Sequence, residues 1–201
     1  TNSFDLLRLI QTPHFKESLP GAQQMKDPLA EEKNSKTPRL IHRYSDRVLF
    51  LVTDFCTVYC RFCTRKRFTG SNQAFLSSQD FSDSLDYIRS HPGIREVILS
   101  GGDPLTLSDA QLEKVLSEIR KIDHVEIIRI GSRMPTVNPY RVTEDLVKMI
   151  RKYGPVFFMS HFNHPKELTQ DAANALSLFV DHGIPVMNQM VLLNGINNHP
   201  A

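Results

Sequence analysis

The chain has 201 residues, enough for one domain with a substantial hydrophobic core. Hydrophobic residues make up 40% and charged residues 23%, an ordinary globular balance. A net charge of only +2 argues against a nucleic-acid or membrane partner held by a global field, and no apolar run reaches membrane-spanning length.

Residues 1–40 read as an arm. A short helical pattern uses Leu6, Leu7 and Ile10, and a polar stretch rich in turn formers follows, "GAQQMKDPLAEEKNSKTPRL". From Arg47 a rhythm begins. "RVLFLVTD" (47–54) is a continuous β-rich apolar run, as expected of a strand buried on both faces. "REVILSGGD" (95–103), "VEIIRIGS" (125–132), "PVFFMSHFN" (155–163) and "PVMNQMVLL" (185–193) repeat it, with starts about 30 residues apart, the length of one βα unit.

Helices are predicted in the gaps. Phe81, Leu85 and Ile88 share one face. Leu112, Val115, Leu116 and Ile119 share another, opened by a capping box from Ser108 to Gln111. Leu146, Met149 and Ile150 follow a cap at Thr143. Ala172, Ala175, Leu176 and Phe179 form a fourth stripe that Gly183 is placed to end. Buried strands alternating with helices imply an α/β fold with a parallel sheet, doubly wound or barrel-like, whose sites gather at the strands' C-terminal ends. There lie the cysteine loop after the first strand and Gly101, Gly102 and Asp103 after the second. Gly131, Ser132 and Arg133 follow the third, and His161, Asn163 and His164 the fourth. Gln189 falls within the fifth run.

All three cysteines, Cys56, Cys60 and Cys63, sit in "CTVYCRFC". An odd, clustered set fits a reducing compartment, with a cytoplasmic location as the default, and metal chemistry better than a disulfide frame. Zinc would want a fourth ligand from elsewhere, such as a distant His. A redox pair of Cys60 and Cys63 would leave Cys56 unexplained. Three thiolates also suit a 4Fe–4S cluster whose fourth iron binds something else. The Gly101–Gly102 pair leaves backbone bare for close approach to a ligand. The basic run Arg61, Arg65, Lys66 and Arg67 has three readings: a nucleic-acid patch, a solvated surface, or cations that stabilise a negative cluster and attract anionic substrate groups.

Cys-x3-Cys-x-aromatic-Cys after the first strand of an α/β barrel resembles the radical S-adenosylmethionine (SAM) superfamily. The resemblance implies a partial (β/α)6 barrel over residues 41–201, with about five strands present and the arm (1–40) before it. It also implies a 4Fe–4S cluster on Cys56, Cys60 and Cys63, its open iron chelating SAM. Reductive cleavage of SAM then yields a 5′-deoxyadenosyl radical. Phe62 stands where the superfamily packs the adenine, and Gly101, Gly102 and Asp103 stand in its motif for the SAM amino group.

The likeness narrows further. Residues 40–70, "LSGGDPL" (99–105), "HVEIIRIGSRMPTVNPYRVT" (124–143), "HFNHPKELT" (161–169) and "NQMVLLNGINN" (188–198) look like the lysine 2,3-aminomutase family. That resemblance implies an isomerase that moves an amino group between adjacent carbons of an amino acid, most simply L-lysine to L-β-lysine. The radical acts on an aldimine of pyridoxal 5′-phosphate (PLP). "HRYSDR" resembles the PLP-contacting segment, which makes Arg43, Tyr44 and Arg47 candidates. Arg65 resembles the arginine that pairs with the substrate α-carboxylate. Arg129, His161, Asn163 and Gln189 are candidates for lining the SAM pocket. An electron donor such as flavodoxin or ferredoxin and a homo-oligomer are implied partners. A glutamate 2,3-aminomutase, an elongation-factor-modifying aminomutase that forms β-lysine, and a non-catalytic metal-binding module are the alternatives.

Two departures stand out. Phe62 replaces a His of the family's lysine enzyme. The PLP Schiff-base lysine lies late in the family and is not found here: Lys148 and Lys166 match helix or loop positions, and no lysine follows Lys166. The expectation is a C-terminally incomplete chain that does not complete the cycle alone.

Overall fold

The computed structural model describes residues 5–15, 19, 25–71 and 75–199. The parts of the expected arm at 1–4, 16–18 and 20–24 lie outside the described residues. Two short helices, α1 (Leu6–Gln11) and α2 (Glu31–Asn34), precede an antiparallel pair, β1 (Ser35–Thr37) and β2 (Leu40–Tyr44). β3 (Arg47–Thr53) pairs antiparallel with β2 and begins the alternation: α3 (Ser78–Arg89), β4 (Glu96–Gly101), α4 (Asp109–Arg120) and β5 (Ile127–Ser132). A short α5 (Met134–Val137), then α6 (Glu144–Arg151), β6 (Val156–Ser160), α7 (Gln170–Asp181) and β7 (Val186–Asn188) complete it.

The seven strands form one sheet in the order β1-β2-β3-β4-β5-β6-β7, parallel from β3 to β7 and not closed on itself. The five predicted strands are therefore the parallel part of the sheet. The hairpin β1–β2 was not expected, because its short strands lie in the polar stretch "SKTPRLIHRY" and lack a continuous apolar run. The fifth strand is shorter than its apolar run: it stops at Asn188, so Gln189 follows the strand and is exposed.

The helix stripes bury as their periodicity requires. Phe81, Leu85 and Ile88 of α3 and Leu112, Val115, Leu116 and Ile119 of α4 are buried. The capping box at Ser108 and Gln111 is formed, Thr143 caps α6, and Gly183 ends α7 with a left-handed φ of +73°. These stripes pack on one face of the sheet, against Val48, Phe50, Val52, Val97, Leu99, Ile128, Ile130 and Phe158. Phe158 of β6 stacks on Phe179 of α7 with ring centroids 4.1 Å apart. Burying a side chain of this size stabilises the fold by about 1.5–3 kcal/mol. Alternate residues on β4, β5 and β6, such as Ile98, Ser100, Ile127, Arg129, Phe157 and Met159, keep intermediate exposure on the opposite face.

Candidate functional site

The cysteine loop leaves β3 at Asp54 and is tied at its base. Asp54, fully buried, accepts from Gly70 N at 2.7 Å through its carbonyl and from Ser71 Oγ at 2.9 Å through its carboxylate. The start of the loop lies on the turn that follows β4. Gly102 N donates to Thr53 O at 2.6 Å, and Asp103 N to Phe55 O at 2.8 Å. Both glycines are required for this approach. A Cβ on Gly101 would stand 2.2 Å from Thr53 O, and one on Gly102 would stand 2.1 Å from Phe55 O. Gly101 also holds a φ of +115°, open to glycine alone at low cost. The bare backbone expected to meet a ligand is thus first of all what lets the cysteine loop settle on β4.

A cavity of about 300 Å³ opens at this rim. Cys56, Cys60, Phe62, Cys63, Arg65, Gly101, Gly102, Asp103, His161 and Gln189 line it, so ten of the sequence candidates meet there. The three thiols are free of disulfides. Among the described residues no three His, Cys, Asp or Glu side chains converge on a single-ion centre. A four-iron cubane asks less convergence, since each thiolate meets its own iron. Burial, reinforced by Asp103 and the neighbouring thiols, pushes the Cys56 thiol up to about 12. It therefore stays protonated until a cation displaces the proton. Burial also pushes up the Cys60 thiol, and Arg133 opposes that shift. Free thiols along one cavity wall, one already accepting a guanidinium N–H, are a donor set that fits a thiolate-held cluster.

Asp103 is buried, and protein donors engage both its oxygens. Oδ1 accepts from Ser132 Oγ at 2.7 Å and Leu105 N at 3.0 Å, and Oδ2 accepts from Arg133 N at 2.8 Å. Burial raises its pKa while these donors oppose the rise. The carboxylate thereby joins the ends of β4 and β5. Burial first, then the positive charges of Arg133 and Arg65, push His161 down to about 4, so its imidazole is neutral at physiological pH.

Two SAM-pocket candidates lie elsewhere. Arg129 makes an ion pair with the buried Glu96 and does not line the cavity. Asn163 is buried beneath the C-terminal loop, its Oδ1 accepting from Val191 N at 2.9 Å, and it lines a separate groove. Arg43, Tyr44 and Arg47 line a second cavity of about 190 Å³. Arg43 Nη1 donates to Leu29 O at 2.9 Å, while Arg47 makes a two-bond fork with Asp46 at 3.0 and 2.9 Å. Arg65 and Leu29 line both cavities and so mark where they adjoin. Lys148 pairs with Glu144 on α6 at 2.7 Å, and Lys166 is exposed in the 3-10 turn Pro165–Glu167.

The basic run has a use that none of the sequence readings anticipated. Arg65 Nε donates to Glu31 Oε1 at 2.9 Å, Arg65 Nη2 stands 2.7 Å from the same oxygen, and Arg65 Nη1 donates to Ser100 Oγ at 3.2 Å. Arg67 contacts Asp27 at 2.9 Å and Glu32 at 3.0 Å. Arg61 Nη1 donates to Leu9 O at 2.7 Å. The cations following the cysteines therefore latch the N-terminal segment onto the loop. Nothing in the local sequence marks Glu31 for this role; it stands 34 residues from Arg65. Arg133 and Glu167 were also missed as site residues. The only signal was the position of Arg133 on the rim.

Residues 50–201 match the Radical SAM superfamily. The chain belongs to the radical SAM superfamily. Membership implies a 4Fe–4S cluster and SAM, and the thiols of Cys56, Cys60 and Cys63 are the chain's only cysteine donors. Among curated proteins the chain is similar to the L-lysine 2,3-aminomutase of Clostridium subterminale, 49% identical over 178 residues, which cover 89% of this chain and 43% of that protein. It is also similar to the L-lysine 2,3-aminomutase of Acetoanaerobium sticklandii, 46% identical over 98% of this chain and 48% of that protein. The glutamate 2,3-aminomutase of Clostridioides difficile is 40% identical over 96% of this chain and 46% of its own length. The chain of this radical SAM protein spans about half the length of the curated relatives it matches. Among the described residues no helix is long and apolar enough to cross a membrane.

Proposed function

We propose that this chain is the radical SAM core of an amino-acid 2,3-aminomutase, acting on L-lysine to give L-β-lysine. The observation that carries the reading is the place of Arg65, on the wall shared by the cysteine-lined cavity and the cavity of Arg43, Tyr44 and Arg47. An amino acid bound there would touch both compartments, as a reaction joining two cofactors demands. The similarity to lysine enzymes supports the substrate, and the similarity to a glutamate enzyme supplies the second candidate.

In this reading Cys56, Cys60 and Cys63 hold the cluster, and Phe62, Gly101, Gly102, Asp103, His161 and Gln189 surround SAM. Arg129 and Asn163 act from behind that wall rather than on it. Arg43 and Arg47 meet the PLP phosphate, for which an arginine fork is suited, and Tyr44 flanks them. Together the bound groups supply one-electron radical chemistry, which the protein must orient and shield from water. The chain's own residues set the conditions. Arg65 meets the substrate carboxylate through Nη1, which also donates to Ser100 Oγ, while Glu31 holds its Nε and Nη2 edge in place. Neutral His161 adds a polar contact without adding charge. Residues 41–201 form the barrel core in this reading, and the described residues of the 1–40 arm are held against it, β1 and Leu40 as part of the sheet. Three unpaired thiols support a reducing, cytoplasmic setting, with a flavodoxin or ferredoxin as electron donor and self-association to a homo-oligomer.

Anaerobic reconstitution tests the reading. The expected result is about four irons per chain and SAM cleavage after reduction. When PLP and a segment carrying its Schiff-base lysine are both supplied, β-lysine should form from lysine and not β-glutamate from glutamate. One zinc per chain without SAM turnover would overturn the enzyme reading, and β-glutamate alone would move the substrate to glutamate.

A further inference from the structure

Arg133 is a cation with only 7% of its surface exposed, immediately after β5. Burying a guanidinium is costly unless it is paired. Its pairing is unusual in reaching three separate motifs. Nη2 makes an ion pair with Glu167, itself buried. The guanidinium carbon lies 5.8 Å from the centroid of the Phe62 ring, and the backbone N–H donates to Asp103. Nη1 donates to Cys60 Sγ at 2.7 Å. Glu167 is held in turn: its Oε2 accepts from Asn163 N at 2.6 Å and His164 N at 3.1 Å. The fork is thus fixed from its backbone, its face and one terminal nitrogen, and the other terminal nitrogen is left aimed at a thiol.

A cluster core of +2 on three thiolates is already net negative, and one added electron makes it more so. A guanidinium N–H on a ligand sulfur favours the more negative state, and hydrogen bonds to the sulfurs are among the determinants of cluster potential. We propose that Arg133 is a positioning residue that raises the reduction potential of the cluster through its Nη1–H···Sγ bond to Cys60, with Glu167 holding it in register. The inference rests on the reading of Cys56, Cys60 and Cys63 as cluster ligands. The electron comes from an external low-potential one-electron donor; no bond forms or breaks at Arg133, and no proton moves.

The test is the midpoint potential of the anaerobically reconstituted protein, followed by EPR of the reduced cluster during a dithionite-poised titration, with iron counted in each sample. Arg133→Gln, with full iron content, is expected to lower the ratio of reduced to oxidised cluster at fixed poise about tenfold, a shift of about 59 mV for one electron. Arg133→Lys, which keeps the charge, should recover part of that shift. Glu167→Gln leaves the guanidinium uncompensated and should move the midpoint the other way. An unchanged midpoint in iron-loaded Arg133→Gln overturns the proposal. If that variant loads no iron, Glu167→Gln decides, and an unchanged or lowered midpoint there is equally fatal. Failure of the wild-type protein to take up a cluster at all is a different outcome, one that removes the ligand reading itself.

Discussion

The two faces of the parallel sheet are built on opposite principles. The helix-covered face presents Val48, Phe50, Val97, Leu99, Ile128, Ile130 and Phe158, all buried and all apolar. The other face mixes Ile98 and Phe157 with Ser100 and Arg129, keeps intermediate exposure, and borders both cavities. On the first face, energy comes from area removed from water, which depends little on the angle of any one contact. On the second it comes from directed bonds, and a bond can be aimed at a ligand. Stability and chemistry are thereby assigned to different sides of the same strands.

Substitutions on the two faces should separate these roles. The largest effect is expected from Phe158→Ala on the helix side: loss of its stack on Phe179 should cost about 3–5 kcal/mol in urea denaturation. A loss below 1 kcal/mol would show that this face is not the main source of stability. On the cavity side, His161 should make stability depend on pH. The folded chain keeps the ring neutral down to about 4, while the unfolded chain takes up a proton near 6.5. The contribution is therefore complete above neutral pH and is lost as pH falls from 6.5 towards 4, amounting to about 2 kcal/mol between pH 7 and 5. Urea titrations at both pH values should show that difference in the wild type and not in His161→Gln; equal slopes would refute it.

A smaller effect belongs to the latch. Glu31→Gln keeps the shape of the side chain but removes the charge facing Arg65 and Arg67, whose side chains are 19% and 23% exposed. The expected cost is about 1 kcal/mol, together with faster proteolysis within residues 25–34. Unchanged proteolysis would mean that the segment is held by something other than its carboxylates. Smallest of all is Arg95→Ala. The Arg95–Glu126 pair, 2.6 Å apart, is open to water, and its removal should leave the denaturation midpoint unchanged.

Much of the fold was legible because its signals are periodic. Apolar runs marked β3 to β7, and stripes at helical spacing marked α3, α4, α6 and α7, down to the cap at Ser108. The hairpin β1–β2 was not, since its pairing with β3 rather than its own composition makes it a sheet. At the site, clustering in sequence was enough to single out the cysteines and the Gly101–Asp103 turn. It did not reveal that Asn163 and Arg129 stay out of the cavity lining, nor that Arg65 already has a carboxylate partner. Those facts depend on which distant partner each side chain meets, Glu96 for Arg129, the C-terminal loop for Asn163 and Glu31 for Arg65.

The sequence by itself determined the thiol spacing, the strand–helix alternation and the glycines on which the turn after β4 depends. Each is a property of neighbours along the chain: a ligand loop, a hydrophobic period, a missing Cβ. Only the tertiary structure decided that Glu31 would hold Arg65 and that Glu167 would hold Arg133, each across 34 residues. The reason is physical. A hydrogen bond between a guanidinium and a carboxylate needs a few ångströms and a direction, and those are set where the sheet and its loops bring distant segments together.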